Sequence, residues 1–341
     1  MKIAFTKKRI VCYILLLVLC VISIYGGIQF GKISHMTSLG AAEQSLDEPS
    51  ATGKFNVLLT GVDEEGVRAD TIMIFSVDNI NKTVKVLSIP RDTRVTLNTG
   101  KTIKINACLG FKSREKFLIE TIKTITKMPI HYYCEINFDG FIEIIDILDG
   151  VDFNVPYDMD YDDPVQNLHI HLKAGQQHLD GQAAHDFVRF RHNNKGAAEY
   201  APGEYAKGDI GRIDAQQKFL KELFRQKMQP QYWLKAPELI NAAYSSVKTN
   251  FTINSALDFA SILKSADTNT LESFILPGDG KYIGNVSYYI YNPAETKELI
   301  LAEFGYPEDE AKNYVPKEES KPSESIEEEK EPATVPATVI N

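Results

Sequence analysis

The stretch Thr83-Val84-Lys85-Val86-Leu87-Ser88-Ile89-Pro90-Arg91-Asp92-Thr93-Arg94 decides the reading of the fold. Apolar and polar residues alternate as far as Ile89, as in a half-buried strand, and two guanidiniums and a carboxylate follow at once. Polar groups gathered where a strand stops are placed for a ligand, and the planar fork of an arginine matches two phosphate oxygens together. The ordinary alternative is a surface turn closed by a local ion pair, which contributes only about 0–1 kcal/mol.

Toward the N-terminus, Thr71 to Val77 alternates in the same way and Phe55 to Val62 is an apolar run without helical period, so both read as strands. The link Asp78-Asn79-Ile80-Asn81-Lys82 is hairpin material, which pairs the second and third strands antiparallel. Toward the C-terminus, residues 112–127 have helical spacing at Phe117, Leu118, Ile122 and Ile125 and are stopped by Met128-Pro129. His131 to Phe138 reads as a strand, and Asp139 as the N-cap of a helix carrying Phe141, Ile144, Ile145 and Leu148 that ends at Asp149-Gly150. Val151 to Val155 is a short strand, His169 to Leu172 is hairpin-like, and a helix starts near Asp180. Residues 234–265 read as a helical pair, and Leu271 to Leu276, Val286 to Tyr291 and a last helix to Phe304 complete the set. Strands and helices in alternation, with hairpins among them, predict an α/β domain with a mixed β-sheet and helices on both faces.

The chain has 341 residues and a net charge of −9. Residues 1–9 carry Lys2, Lys7, Lys8 and Arg9, and in residues 10–30 the only clearly polar side chains are Ser23 and Gln29. That run is long enough for one N-terminal transmembrane helix, and the basic flank keeps residues 1–9 in the cytoplasm and the rest outside the cell membrane. A cleaved signal peptide competes, since Leu39-Gly40-Ala41 resembles a processing site, but the apolar run exceeds a usual signal core of about 7–15 residues. Residues 31–54 read as a flexible stalk, 55–307 as the folded unit with one sizeable core, and 308–341 as a disordered acidic tail. Cys12 and Cys20 fall in the span; Cys108 and Cys134 fit either buried thiols or a disulfide. The acidic balance and the lack of a basic stripe argue against a nucleic-acid partner.

Three more polar groups punctuate this frame. Asp63, in Thr60-Gly61-Val62-Asp63, and Asp70, in Arg68-Ala69-Asp70-Thr71, stand at the two ends of one short loop. Two such carboxylates repel unless a cation lies between them, and a hard-oxygen pair suits Mg²⁺ completed by phosphate and water; the alternative is two solvated turn residues. Phe187-Val188-Arg189-Phe190-Arg191 places two arginines that share a face only where the chain is extended, so the helix from Asp180 is expected to end near Phe187. In Asp209-Ile210-Gly211-Arg212 with Gln216-Gln217, Arg212 and Gln216 share a helical face and Asp209 is placed to cap the helix or its first turn. Together these predict four convergent arginines, Arg91, Arg189, Arg191 and Arg212, facing a dicarboxylate; the plain alternative pairs each arginine with a local acid.

With these residues the chain resembles the LytR-CpsA-Psr family of membrane-anchored cell-wall proteins. The resemblance covers most of residues 55–228 and rests on Gly61-Val62-Asp63, Arg68-Ala69-Asp70-Thr71, Ser88 to Thr93 and Lys104-Ile105-Asn106. It continues through Asn137-Phe138-Asp139-Gly140-Phe141, Leu179 to Ala184, Arg189-Phe190-Arg191, Asp209 to Arg212 and Gln216-Gln217. It implies transfer of a glycopolymer from a polyprenyl-pyrophosphate carrier to an acceptor hydroxyl, commonly on peptidoglycan. Asp63 and Asp70 would then hold Mg²⁺, and Arg68, Arg91, Arg189, Arg191, Arg212 and Gln216 would bind the pyrophosphate. Arg91, Arg189 and Arg191 would act on the reacting phosphates; Asp92, a carboxylate beside Arg91, is the proton acceptor expected from its position in the sequence. Two positions depart from the family pattern, Ala215 where another Arg is usual and Ala107 where His is common. A hydrolase acting on the same lipid pyrophosphate, and a non-catalytic lipid-glycan-binding regulator of the cell envelope, are the rival readings.

Overall fold

The structure, a computed structural model, describes residues 45–47, 53–97, 99–194, 209–227, 246–252 and 271–306, together with Gln229, Tyr232, Lys235, Leu239 and Ala242. The first half contains β1 (Lys54–Val62), β2 (Ala69–Asp78), β3 (Thr83–Ser88), β4 (Arg94–Thr96) and β5 (Thr102–Lys104). A 3₁₀ turn (Ile105–Gly110) follows, then α1 (Arg114–Thr126), β6 (Tyr132–Ile136) and α2 (Phe138–Ile147). Next come β7 (Val151–Val155), β8 (Met159–Asp163), β9 (Leu168–Leu172), β10 (Gly175–Leu179) and α3 (Gly181–Arg189). The last part contains α4 (Asp209–Lys227), β11 (Val247–Thr249), β12 (Glu272–Ile275), β13 (Gly278–Ile283), β14 (Val286–Tyr291), α5 (Pro293–Leu299) and a π turn (Ile300–Phe304).

A six-stranded sheet in the order β11-β6-β1-β2-β3-β12 forms the frame. It is mixed, because β1 with β6 and β3 with β12 run parallel while β1–β2, β2–β3 and β6–β11 run antiparallel. Side chains alternate across β1 and β2. Leu58, Val62, Ile72 and Ile74 pack with Phe117, Leu118 and Ile122 of α1, whereas Val57, Met73 and Phe75 pack with Leu220 and Phe224 of α4. Helices therefore cover both faces, and the sheet is buried between them. A third core cluster joins β7–β10 to α3 and α4 through Phe153, Phe187, Phe190 and Phe219.

Two local devices aim the polar residues. The β1–β2 register breaks between Gly61 and Val62, and a Cβ on Gly61 would lie 3.2 Å from that of Thr71, so glycine lets the strands stay close where the bulge turns the chain toward Asp63. At Gly181 a Cβ would fall 2.4 Å from the Ile142 carbonyl, so only glycine lets the start of α3 abut α2.

The three opening strands, the helix after Ser113 and the β7 strand fall where the sequence places them. Three expectations are corrected. The N-cap of α2 is Asn137, whose side chain accepts from the Gly140 amide, and Asp139 lies inside the helix. The helix expected to stop near Phe187 runs to Arg189, because Phe187 and Phe190 are both buried in the same cluster and helical geometry places both there. Within the 31–54 stretch read as a stalk, Ser45 to Asp47 are tied to the domain. The Asp47 carboxylate accepts from Ile130 N at 2.9 Å and pairs with Lys123 at 2.8 Å. Cys108 and Cys134 are free thiols in different core clusters, and burial pushes each pKa up to about 12. The expected span 10–30, residues 1–9, the tail 308–341 and most of the pair 234–265 lie outside the described residues. Among the described residues no helix is long and apolar enough to cross a membrane.

Candidate active site

The C-terminal ends of β1 and β3, the start of β2, the end of α3 and the first turn of α4 meet at one place. Asp70 is its hub. Its carboxylate is ion-paired with the Arg91 guanidinium, and its backbone carbonyl accepts from Arg212 Nη2 at 3.2 Å. Burial alone would push the Asp70 carboxyl up, but the positive charges of Arg91, Arg212 and Arg191 outweigh it and hold the pKa below the usual carboxylate range.

Asp209 is the second anchor. Its Oδ1 lies 2.7 Å from Arg212 Nη2 and 3.6 Å from Arg91 Nε, so one carboxylate bridges two guanidiniums that are far apart in sequence. From its local sequence Asp209 reads only as a cap of the helix or its first turn. Arg212 is almost fully buried, and burial opposed by the Asp209 charge leaves its pKa below the ordinary arginine value. Arg91 shifts the other way: burial disfavours its charge, but Asp70 and Asp209 outweigh that and raise its pKa. Among the described residues the buried Nε atoms of Arg91 and Arg212 have no hydrogen-bond acceptor. The two Asp209 carboxylate oxygens beside them are likewise without a hydrogen bond, so the contacts that Asp209 makes here are ion pairs and the donors of both guanidiniums are incompletely used.

Arg191 is solvent-exposed by surface area, yet surrounding protein atoms and then the like charges of Arg212 and Arg91 push its pKa down to about 10. It keeps its charge at neutral pH. Arg189, the last residue of α3, stacks its guanidinium 4.3 Å from the centre of the Phe138 ring and donates from Nη2 to Gln166 Oε1 at 2.9 Å. Burial lowers its pKa, and the charge that opposes this most is again Asp70. The end of α3 at Phe190 lets the chain leave the helix, so Arg189 and Arg191 both reach Asp70's field. Gln216 donates to the Val188 carbonyl at 2.9 Å, which fixes α4 against α3, and it lines a recess with Asp70, Met73, Arg91, Arg212 and Ile213.

The other expected residues sit at the edge. Asp92 pairs with Lys104 at 3.0 Å, and its carbonyl accepts from Tyr289 N. Asp63 Oδ1 accepts from Val67 N at 2.9 Å and Arg68 N at 3.1 Å, which closes the loop containing Arg68. Burial raises the Asp63 pKa, and the neighbouring Asp70 charge adds to that effect. In each of the two carboxylates these bonds engage Oδ1, and a carboxylate oxygen is the kind of hard donor that Mg²⁺ takes. The one group of three metal-type donors among the described residues is elsewhere, Asp160, Asp162 and His171 on the exposed β8–β9 ribbon. Ala215 lies in the core cluster beside Phe187 and Phe219, so the apolar interior takes the position where an arginine was expected.

Comparison with known proteins follows the same outline. A model of the LytR_cpsA_psr family matches residues 24–302. The polyisoprenyl-teichoic acid–peptidoglycan teichoic acid transferase TagV of Bacillus subtilis is 29% identical over 312 residues, covering 85% of this chain and 75% of that protein. The transferase of the same description from Bacillus mycoides, TagU, is 30% identical over 249 residues, 72% of this chain and 76% of that one. The crystal structure of B. subtilis TagV superposes with a TM-score of 0.61 at 28% identity, covering 75% of this chain and 99% of that one. A structure of TagT bound to LI-WTA, 21% identical with a TM-score of 0.59, shares the fold.

Proposed function

The chain belongs to the LytR-CpsA-Psr family, and on that premise we propose that it moves a teichoic-acid-type glycopolymer from a polyprenyl-pyrophosphate carrier to a peptidoglycan hydroxyl. The observation that supports the reading is the cluster of Arg91 and Arg212 on Asp70 and Asp209, with Arg189 and Arg191 close enough for the Asp70 charge to act on both. Four guanidiniums against the Asp70 and Asp209 carboxylates leave two positive charges, which complement the charge of about −2 on a pyrophosphate diester.

Phosphoryl transfer asks the protein mainly to position the groups and neutralise charge on the oxygens. Arg91 and Arg212 hold the pyrophosphate from beneath, and Arg189 at the end of α3 and Arg191 just beyond it close on it. The acceptor oxygen attacks the glycan-bearing phosphorus in line, its bond to the bridging oxygen breaks, and prenyl phosphate departs with that electron pair. The hydroxyl proton passes to Asp92, the proposed acceptor. Asp63 and Asp70 would hold Mg²⁺, which would supply further neutralisation of the phosphate oxygens. Arg68, on the loop that Asp63 closes, and Gln216, in the recess, border the same place. The extracytoplasmic placement rests on the 10–30 anchor read from the sequence.

The test incubates the purified full chain with a synthetic prenyl-pyrophosphate-linked sugar, peptidoglycan fragments and Mg²⁺. Expected products are phosphoglycan-linked peptidoglycan and prenyl phosphate, reduced by chelation of the metal. Free sugar phosphate without linked product would replace the transferase with a hydrolase, and binding without turnover would replace it with a binding protein.

A further inference from the structure

Arg189 differs from the other site arginines in how it is held. Its guanidinium stacks on Phe138, the first residue of α2, and the Phe138 ring in turn meets the His185 ring edge-on at 5.0 Å between centroids. His185 and Arg189 are four residues apart and share one face of α3, so Phe138 wedges between them. The wedge depends on the close approach of α2 and α3 at Gly181, whose amide donates to Asp146 Oδ1 at 2.7 Å. The exposed turn between β8 and β9 delivers Gln166, whose amide oxygen takes one Arg189 N–H while its amide nitrogen donates to Asp163 Oδ2 at 2.8 Å.

A carboxylate in either place would orient the guanidinium equally well, but it would cancel the charge and occupy the fork. An aromatic face attracts the cation without accepting its in-plane N–H groups, and a neutral amide takes one of them. We infer that Phe138 and Gln166 are the positioning residues of Arg189, a ring and an amide that aim its guanidinium at the pyrophosphate without a direct ion pair to a carboxylate among the described residues. The inference rests on the transferase reading above.

The experiment measures binding of geranylgeranyl pyrophosphate, and transfer, by the full chain in detergent. Phe138→Leu is expected to weaken binding about tenfold, the scale of a partly desolvated cation–π contact, while Phe138→Trp recovers most of that loss. Gln166→Ala, on an exposed turn, is expected to weaken binding about threefold. It carries the test if Phe138→Leu does not fold. In an Arg189→Ala background neither change should matter further. Wild-type affinity in Gln166→Ala and Phe138→Leu, or losses that persist unchanged without Arg189, overturns the inference and leaves the transferase reading standing. No binding by the wild-type chain overturns both.

Discussion

The floor and the rim of the site hold their arginines by different means. At the floor, Arg91 and buried Arg212 are locked to Asp70 and Asp209, and at the rim Arg189 leans on Phe138 and Gln166 beside exposed Arg191. A guanidinium removed from water needs a counter-charge, because its desolvation otherwise costs several kcal/mol. A half-exposed one does not. The floor therefore uses carboxylates to keep its charges inside the protein, and the rim keeps its positive charge available to the ligand. On this view floor residues serve stability and catalysis together, while rim residues serve catalysis almost alone.

The sharpest way to break that distinction is to remove one arginine from each level. Arg91→Ala should abolish transfer, to below about a thousandth of wild type, and also lower stability by about 1–3 kcal/mol, since it leaves Asp70, only 24% exposed, without its partner. In a domain of this size that is a fall in Tm of several degrees, readable by calorimetry. Arg189→Ala should cost about a hundredfold in kcat/KM and move Tm by less than about two degrees. Equal stability losses in the two variants would erase the difference between floor and rim.

The same division explains what the sequence made legible. Arg91, Arg189, Arg191 and Arg212 stand at the ends of apolar segments, and the site could be assembled from those ends because strands and helices carry their termini to the edge of a layered sheet. What stayed hidden was pairing across the chain. Nothing local to Asp209 shows that it bridges Arg212 and Arg91, and nothing local to Asp92 shows Lys104. Asn137 and Asp139 are both good capping residues, so their order had no local arbiter. β13, from Gly278 to Ile283, has no apolar alternation and exists through its register with β14. β4 and β5 are three residues each, too short for a period.

Ala215 sharpens the comparison from the apolar side. It sits on α4 three residues after Arg212, at the point where the helix face passes from site to core, and it is 3% exposed among aromatic rings. Ala215→Arg should therefore destabilise by about 1–3 kcal/mol through overpacking and burial of a charge. A melt with and without pyrophosphate would read it. Recovery of the lost stability on adding the anion would mean that the new guanidinium reaches the floor of the site instead.

The smallest effect, and the one that separates the two loop carboxylates, is in the pH dependence of stability. Asp70 and Asp63 stand at opposite ends of the same loop with opposite shifts: the arginines hold Asp70 below its ordinary value despite burial, whereas burial and then Asp70's charge raise Asp63. An unfolded Asp titrates near about 3.9. A depressed group stabilises the fold above that pH and loses its contribution as pH falls through its native pKa. A raised group contributes below that pH and loses its contribution as pH rises through its own native pKa. In chelator-treated buffer, Asp70→Asn should thus be less stable than wild type at neutral pH, with the gap closing in acid below about pH 4. Asp63→Asn, whose amide oxygen can still accept from Val67 and Arg68, should be slightly more stable than wild type at neutral pH, with that advantage fading as pH falls toward about 4. Denaturant melts of the three proteins across the acid range would give difference curves of opposite sign. Curves of the same sign would mean that the arginines do not single out Asp70, and the counter-charge account of the floor would fail with them.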